Sequence, residues 1–373
     1  MSQRTDYLRA CCPPLVCLLI CTIFSQVCAQ RRLKPSGPTD NRLWLTPDIT
    51  QQLRPDRSQL FIFDRAGKKG YFDGAGRIVI KPQFDGALPF SEDLALVKIG
   101  DKAGYIDKTG RLVIQPRFSA GWSFSEGLAY VMIGSKWVYI DKTGQVVIQT
   151  PPDIDISAPG DFSEGLASVV VWNRSDFSLG SGYIDMTGKI VIKPQFAGGR
   201  EFSEGLAAVY VTRTKKAGYI DRAGNFVIKP EFDEGKSFSE GLAAIRIGTK
   251  WGFVDKTGKV VIAPQFEGDE YSLFGKFSGG LANMKLNGKW GYIDRSGQFM
   301  IKPQFDDAHE FSDGLGVVKS GGKYFYIDKT GKMVIESTFD SANPFSRGLA
   351  IVWMGKREGI IDRTGNITWV SLD

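Results

Sequence analysis

The side chains that could carry out chemistry are few, and most of them are carboxylates. The sequence has one histidine, His309, in the segment DDAHEF, and its five cysteines all lie within the first 28 residues. Zinc sites need several nitrogen or sulfur ligands, and a serine hydrolase needs a histidine base. Glycine motifs that bind phosphates are also absent from the sequence. We therefore expect no catalytic residue, no metal site and no cofactor.

Carboxylate pairs could still serve a glycosidase, which needs two acids about 5–10 Å apart. One set of acids recurs in the FSEG motif: Glu92, Glu126, Glu164, Glu204 and Glu240. Because an active site is a single place and these acids are periodic, we interpret FSEG as a turn. In this interpretation Ser caps the turn, Glu is solvated and Gly has a positive φ. The acids that interrupt the period are better hydrolase candidates: Asp153, Asp155, Asp161, Asp269 and Glu270.

Binding is the function class that the sequence favours. Insertions into a regular scaffold tend to carry recognition residues, and aromatic side chains stack on sugars or fill peptide pockets. The insertions here carry four such residues: Trp172, Phe177, Tyr271 and Phe274. As an alternative, each of these side chains could fold back and cover the array.

A row of basic residues is the second binding candidate. The residue after the Asp of a recurring turn is basic in seven of nine repeats: Lys108, Lys142, Arg222, Lys256, Arg295, Lys329 and Arg363. Such a row could meet an anionic glycan or an acidic protein. It could equally be a soluble turn position, whose charge the neighbouring Asp residues partly offset.

The overall charge excludes one class of partner. The sequence has 47 Lys and Arg against 41 Asp and Glu, a net charge of +6, and no block of like charges. Proteins that bind nucleic acid usually concentrate their basic residues. We therefore expect a protein or polysaccharide ligand of unknown identity, and no nucleic acid.

Residues 1–29 have the pattern of a signal peptide. Arg4 and Arg9 precede an apolar run from Leu15 to Phe24, and the run is followed by Val27-Cys28-Ala29, a sequence that signal peptidase accepts. Cleavage after Ala29 would leave a secreted or periplasmic chain without cysteine. A retained membrane anchor is the alternative, but the apolar run is shorter than the roughly 18–20 residues that a span needs.

The candidate residues must be positioned by a repeat array that covers residues 57–373. Residues 30–56 before it are polar and are interpreted as a linker, with a short strand possible at Leu43–Leu45. Nine repeats of about 34 residues are counted by the Asp of a YID motif: Asp73, Asp107, Asp141, Asp185, Asp221, Asp255, Asp294, Asp328 and Asp362. Short β-branched and aromatic runs, separated by Gly or Pro, indicate strands rather than helices.

Each repeat is predicted to form three strands and a connector. In the second repeat the strands are Leu94–Ile99, Gly104–Asp107 and Leu112–Gln115, and the connector has room for a fourth short strand at its Phe. The motif DKTG and its variants predict a tight turn between the second and third of these strands. Since the middle strand is apolar on both faces, it should be buried between neighbouring sheets.

Three segments resemble the WG, or KWG, β-repeat family: KWGYIDRSG at Lys289–Gly297, VVIAPQF at Val260–Phe266 and FSEGLA at Phe238–Ala243. The resemblance covers about Leu60 to Trp369. The Trp-Gly pair itself is intact only at Trp251-Gly252 and Trp290-Gly291. The resemblance implies an all-β repeat structure and offers no catalytic residue to transfer.

Two all-β architectures fit these repeats. We favour a propeller-like ring of three- to four-stranded units over an open superhelical array. The last repeat ends at Asn366–Val370 without a connector, so a ring needs a segment from elsewhere, and Leu43–Leu45 could supply it. The expected function is a non-catalytic binding scaffold. The alternatives are an extracellular carbohydrate-active hydrolase, with acids on the inserted loops, and a purely structural envelope protein.

Overall fold

The computed structural model describes residues 56–149, 154–173, 178–268 and 274–370. The predicted signal peptide, the linker and the strand expected at Leu43–Leu45 lie outside these residues. Within the described ranges, no helix is long and apolar enough to cross a membrane.

The described residues form nine small antiparallel sheets, which are the blades of a closed β-propeller. Blade 1 consists of β1 (Leu60–Arg65), β2 (Lys68–Asp73) and β3 (Ile78–Phe84); blade 2 of β4 (Gly86–Ala87), β5 (Ala95–Ile99), β6 (Lys102–Ile106) and β7 (Leu112–Phe118); and blade 3 of β8 (Ala120–Gly121), β9 (Ala129–Ile133), β10 (Lys136–Ile140) and β11 (Val146–Ile148). Blade 4 consists of β12 (Ile154–Ser163), β13 (Leu166–Asn173), β14 (Ser178–Asp185) and β15 (Ile190–Phe196); blade 5 of β16 (Gly198–Gly199), β17 (Ala207–Val211), β18 (Lys216–Ile220) and β19 (Phe226–Phe232); and blade 6 of β20 (Glu234–Gly235), β21 (Leu242–Ile247), β22 (Lys250–Asp255) and β23 (Val260–Phe266). Blade 7 consists of β24 (Ala282–Leu286), β25 (Lys289–Ile293) and β26 (Phe299–Phe305); blade 8 of β27 (Asp307–Ala308), β28 (Gly316–Ser320), β29 (Lys323–Ile327) and β30 (Met333–Phe339); and blade 9 of β31 (Ser341–Ala342), β32 (Leu349–Met354), β33 (Arg357–Asp362) and β34 (Ile367–Trp369).

The order of strands in a blade follows the chain from the axis of the ring to its rim. In blade 2 the order is β4-β5-β6-β7. The third strand, β6, is the one predicted as the middle strand. It is buried on both faces, as predicted, because Ala103–Ile106 are all buried. The fourth strand differs from the expectation: the Phe of the connector ends the outer strand β7, and the extra strand is the two-residue β4 near the axis.

Each blade has two distinct ends. In blade 2 the turns at Ser91–Leu94 and Asp107–Arg111 lie together at what we call the turn end, because Ala95 pairs with Ile106. The turn between β5 and β6 lies at the opposite, hairpin end. At the turn end, Asp107 Oδ1 accepts backbone N–H groups of Thr109 at 3.0 Å and Arg111 at 3.1 Å, while Gly110 has φ +86°. The predicted DKTG turn is therefore present.

The FSEG motif differs from its interpretation as a solvated turn. Glu92 has φ +51° and the following Asp93 has φ +71°, so both central residues of this two-residue hairpin are left-handed. The Glu92 carboxylate accepts the backbone N–H of Gly127 in the next blade at 3.0 Å. The Ser91 hydroxyl donates to the Phe124 carbonyl of that blade at 2.7 Å. The motif thus joins one blade to the next.

The Gly of the WG motif lies beneath a bulge in the outer strand, although blade 8 forms the same bulge over Phe325. Pairing moves from Tyr105 with Ile114 to Ala103 with Phe118, so residues 115–117 arch over Gly104. A Cβ on Gly104 would lie 2.5 Å from the Ile114 carbonyl oxygen, which is too close for any side chain. Pro116 is tolerated in this bulge because an edge strand needs no N–H donor there.

Packing between blade 9 and blade 1 closes the ring, so the open-array alternative is wrong. One buried cluster contains Phe61, Phe63 and Phe72 from blade 1 with Leu349 and Ile360 from blade 9. The Asp56 N–H also donates to the Arg347 carbonyl at 3.0 Å. Blade 9 is complete with four strands, while blade 1 has three strands within the described residues.

Candidate functional site

The predicted row of basic residues lies at the turn end, over the FSEG turn of the preceding blade. Ion pairs join Lys142 to Glu92 (3.2 Å), Lys256 to Glu204 (2.9 Å) and Arg363 to Asp313 (3.2 Å), and Lys108 to Asp93 of its own blade (2.7 Å). Arg295 donates to the Glu240 backbone carbonyl, and Arg222 and Lys329 lie beside Gly165 and Gly279. Exposed pairs of this kind contribute little stability each. They do neutralise four of the seven basic residues, which favours the structural interpretation of the row.

The aromatic candidates have different positions. Phe274 is buried, with 3% of its surface exposed, and its ring centroid lies 5.1 Å from Trp251 and 6.0 Å from Trp290. Trp172 is half-buried on β13, where it pairs with Leu179. Phe177 and Tyr271 lie outside the described residues. Phe274 is therefore part of the core, and Trp172 retains some accessible surface.

The regular pattern is interrupted at the junction of blades 3 and 4. Val138 replaces the Gly of the WG motif in β10, and the outer strand β11 has three residues where β7 has seven. Blade 8 keeps the usual bulge although Phe325 occupies the equivalent position, so Val138 alone does not account for the short outer strand. The chain then enters β12, which has ten residues where β4 has two.

The hairpin of blade 4 is also longer than its equivalents. Strands β13 and β14 have eight residues each, whereas β5 and β6 have five. One extra pair, Leu166 with Asp185, lies at the turn end, and the other two extra residues of each strand, at about 3.3 Å each, extend this hairpin roughly 7 Å beyond its neighbours at the hairpin end. The hairpin therefore forms a wall beside blade 3.

Three aromatic rings of blade 3 pack together at this wall. Trp122 and Tyr130 are stacked with centroids 5.3 Å apart, and Trp137 packs edge-on to them at 6.0 and 5.7 Å. We call these residues the aromatic trio. Trp122 and Trp137 are half-buried, and Ile156 and Val171 of blade 4 belong to the same cluster. The trio therefore presents part of its ring surface.

The aromatic trio was missed by sequence reasoning, because its members occupy ordinary repeat positions. One signal was available in the sequence. Trp122 stands where the other repeats place residues such as Leu88, Arg200, Lys236 and His309. Trp137 occupies the Trp position of the WG motif and is followed by Val138 in place of Gly.

Asp161 lies close to the aromatic trio. The Tyr139 hydroxyl donates to the Gly160 carbonyl at 2.8 Å, and the Tyr139 ring is 6.0 Å from Tyr130. Asp161 follows on the axial side of blade 4. Of the five acids that interrupt the period, it alone has a described side chain.

The electrostatic environment of Asp161 is unfavourable for a carboxylate. The residue is exposed to solvent, yet the surrounding blades remove part of its hydration, and Glu201 adds a like charge. Both effects raise the pKa of Asp161. Within the described residues, its carboxylate has no hydrogen-bond or ion-pair partner. It can therefore accept hydrogen bonds from a ligand or pair with a cationic one.

The single histidine is far along the chain from this junction, in blade 8. Its backbone carbonyl accepts the Tyr292 hydroxyl at 2.7 Å, and its ring centroid is 6.5 Å from that of Tyr324. In the described part of the chain, no three His, Cys, Asp or Glu side chains are arranged to hold a metal ion.

Comparison with known proteins identifies the repeat. A family model for the WG containing repeat matches seven tandem segments: residues 70–102, 104–137, 182–211, 218–251, 251–290, 290–324 and 324–356. The matched residues stop at 137 and resume at 182, so the family pattern is interrupted at the same place as the fold. No curated protein matches the sequence.

Several solved structures are similar in part. They include the tricorn protease (11% identity, TM-score 0.26, covering 84% of this chain and 39% of that chain). Others are the extracellular domain of the putative one component system BT4673 from B. thetaiotaomicron (11%, 0.32, 84% and 53%) and prolyl oligopeptidase B from Galerina marginata (13%, 0.37, 68% and 50%). The chain thus spans 39–53% of the length of these three proteins. The seven family matches, in contrast, cover more than half of this chain, which therefore belongs to the WG containing repeat family.

Proposed function

We propose that the protein is a non-catalytic binding scaffold for a protein or glycan, exported to the periplasm or the extracellular space. One observation carries this proposal: several departures from the repeat, in β10, β11, β12 and the hairpin β13–β14, meet at the junction of blades 3 and 4. There the aromatic trio lies close to Asp161, whose carboxylate has no partner within the described residues. Recognition residues are commonly placed on such exceptions to a regular scaffold.

A carbohydrate-active hydrolase is the second candidate, and Asp161 is the observation that favours it. A carboxyl with a raised pKa is suited to act as a general acid, and Glu201 is a second acid near it. A purely structural envelope protein is the third candidate, which the regularity of the other junctions favours.

A glycan array, a screen for protein partners and a reducing-sugar release assay separate these candidates. Binding without sugar release, abolished in Trp137→Leu, supports the scaffold. Trp353→Leu is a matched control, because Trp353 is half-buried in blade 9. Sugar release that is lost in Asp161→Asn would establish the hydrolase instead. If the glycan array and the partner screen find no ligand and no sugar is released, the structural role is favoured and the proposal is contradicted.

Export is tested separately. If residues 1–29 are a signal peptide, mass spectrometry of the protein recovered outside the cytoplasm will find Gln30 as the first residue. Recovery of that protein with Met1 still in place would contradict cleavage.

A further inference from the structure

We infer that the aromatic trio and Asp161 form a subsite for an amino sugar, that is, a pyranose ring with a free ammonium group within a glycan. This inference rests on the scaffold function proposed above and assigns its ligand class. It draws on the geometry of the trio, the charge around Asp161 and the shape of the junction.

The aromatic trio supplies the part of the subsite that binds a sugar ring. Pyranose rings have an apolar C–H face, which packs on the flat face of an indole. Tyr130 is stacked against Trp122 and is itself only 9% exposed, so it supports the Trp122 indole on the side away from the ligand. Trp122 and Trp137 are the half-buried members that can contact a ligand. Because both rings are fixed by mutual packing, little side-chain freedom is lost on binding.

Asp161 supplies the part that selects a positive charge. Glu201, the residue at the same position in blade 5, accepts the Ser237 hydroxyl at 3.0 Å and adds a second negative charge. In blade 8 the acid at this position is neutralised by the protein, since Glu310 lies 3.5 Å from Lys276. No described cation pairs with Asp161. A ligand ammonium would therefore relieve both the lost hydration and the repulsion between the two acids.

The aromatic trio and Asp161 are close enough for one ligand to contact both, and the hairpin β13–β14 borders the subsite on one side. Tyr139 connects them, since its ring contacts Tyr130 and its hydroxyl binds the carbonyl of Gly160, the residue before Asp161. The extended hairpin β13–β14 places Val171 against the trio. A flat, cationic sugar satisfies both parts, whereas a Lys side chain offers the charge without a flat apolar face.

The test is calorimetric titration with two matched hexasaccharides, one of glucosamine and one of N-acetylglucosamine, at about pH 6, where the free amine is protonated. The glucosamine oligomer should bind at least about tenfold more tightly. Asp161→Asn should remove this preference, and Trp122→Leu should weaken binding of the glucosamine oligomer about tenfold or more. Glu310→Gln and Trp353→Leu are the matched controls and should bind as the parent does. Circular dichroism of each variant verifies that the fold is kept.

Three results would overturn the inference. They are equal affinity for the two oligomers, a preference that survives Asp161→Asn, and a hexalysine peptide that binds as tightly as the glucosamine oligomer and displaces it. Each of these results is still compatible with the scaffold function if another glycan or protein binds and Trp137→Leu weakens that binding. Loss of both kinds of binding would contradict the scaffold itself.

Discussion

The junctions between consecutive blades and the junction that closes the ring are built from different interactions. Between blades 2 and 3, the Tyr105 hydroxyl donates to the Trp122 carbonyl at 2.7 Å. Ser91 and Glu92 add two further hydrogen bonds to the next blade. Equivalent tyrosine bonds recur at most other junctions, for example from Tyr292 to the His309 carbonyl and from Tyr326 to the Asn343 carbonyl.

Within the described residues, the closing junction lacks these repeated bonds. Ile360 stands in blade 9 where Tyr326 stands in blade 8, and Arg347 replaces the Glu of the FSEG motif. Apolar packing and the Asp56–Arg347 pair at 3.7 Å connect blades 9 and 1. The comparison teaches that the repeated motifs specify how neighbours pack, while burial of apolar surface closes the ring.

Removal of blade 9 should have the largest effect, because it destroys the closing junction. A chain that ends before Asp340 exposes blade 8 and blade 1 together, and neither three- to four-stranded unit can bury both its faces alone. We expect a large loss of thermal stability throughout the ring, measured by calorimetry and by circular dichroism. A loss in proportion to the residues removed would mean that the closing junction adds little.

Leu349→Ala should weaken the closing junction without removing a blade. Leu349 is 2% exposed and packs in the cluster shared with blade 1, so truncation should lower the free energy of unfolding by about 3 kcal/mol. Hydrogen exchange should also accelerate in β1 and β2. Leu206→Ala, at a regular junction, is the control and should leave exchange in these two strands unchanged. If β1 and β2 were equally protected from hydrogen exchange in both variants, the closing junction would not behave differently from the other junctions.

Tyr105→Phe should measure one repeated hydrogen bond. The change keeps the ring and leaves the Trp122 carbonyl without its donor, so the free energy of unfolding should fall by about 1–2 kcal/mol. Phe253, which occupies the equivalent position in blade 6, is the control, because Phe253→Leu removes packing but no hydroxyl. Chemical denaturation of both variants gives the values. No loss in Tyr105→Phe would show that the bond is not a significant part of the junction.

Glu358→Gln should have the smallest effect, and the effect should depend on pH. Burial raises the pKa of Glu358 to about 7, Lys69 of blade 1 opposes the shift and Asp64 adds to it. Because the folded protein holds this proton more tightly than the unfolded chain, the stability that it gives is complete below about pH 4.5 and is lost as pH rises through 7. The variant should match the parent at pH 4 and exceed it by about 1 kcal/mol at pH 8. A constant difference at both pH values would exclude this titration.

Local repetition made much of the fold predictable. Asp107 and Gly110 identified their turn because turn chemistry is local, and the alternation around Tyr105 identified a strand buried on both faces. The role of Glu92 was not predictable in this way, since its partner Gly127 lies 35 residues along the chain. The closed ring was favoured over the open array by blade-like order alone, and the packing of Leu349 on blade 1 decides between them.

The candidate site was less predictable than the fold. Asp161 was identified as an acid that interrupts the period, but the lack of a described partner for its carboxylate depends on three-dimensional packing and on the nearby Glu201. Phe274 and Trp172 share an aromatic character and a place on insertions, and only the three-dimensional packing distinguishes the buried ring from the partly accessible one. The aromatic trio depends on packing among residues 122, 130 and 137, and of these Trp122 departs from the residues at equivalent repeat positions.

Proline in the outer strands has a consequence for solubility. Each blade presents an edge strand at the rim, and these strands expose valines such as Val113, which is 38% exposed. Such edges can recruit strands of other molecules and start aggregation. The bulges at Pro82, Pro116, Pro194, Pro230, Pro264 and Pro303 interrupt that edge with a residue that cannot donate a hydrogen bond. These prolines therefore also protect the outer edges of six of the nine blades from pairing with other molecules.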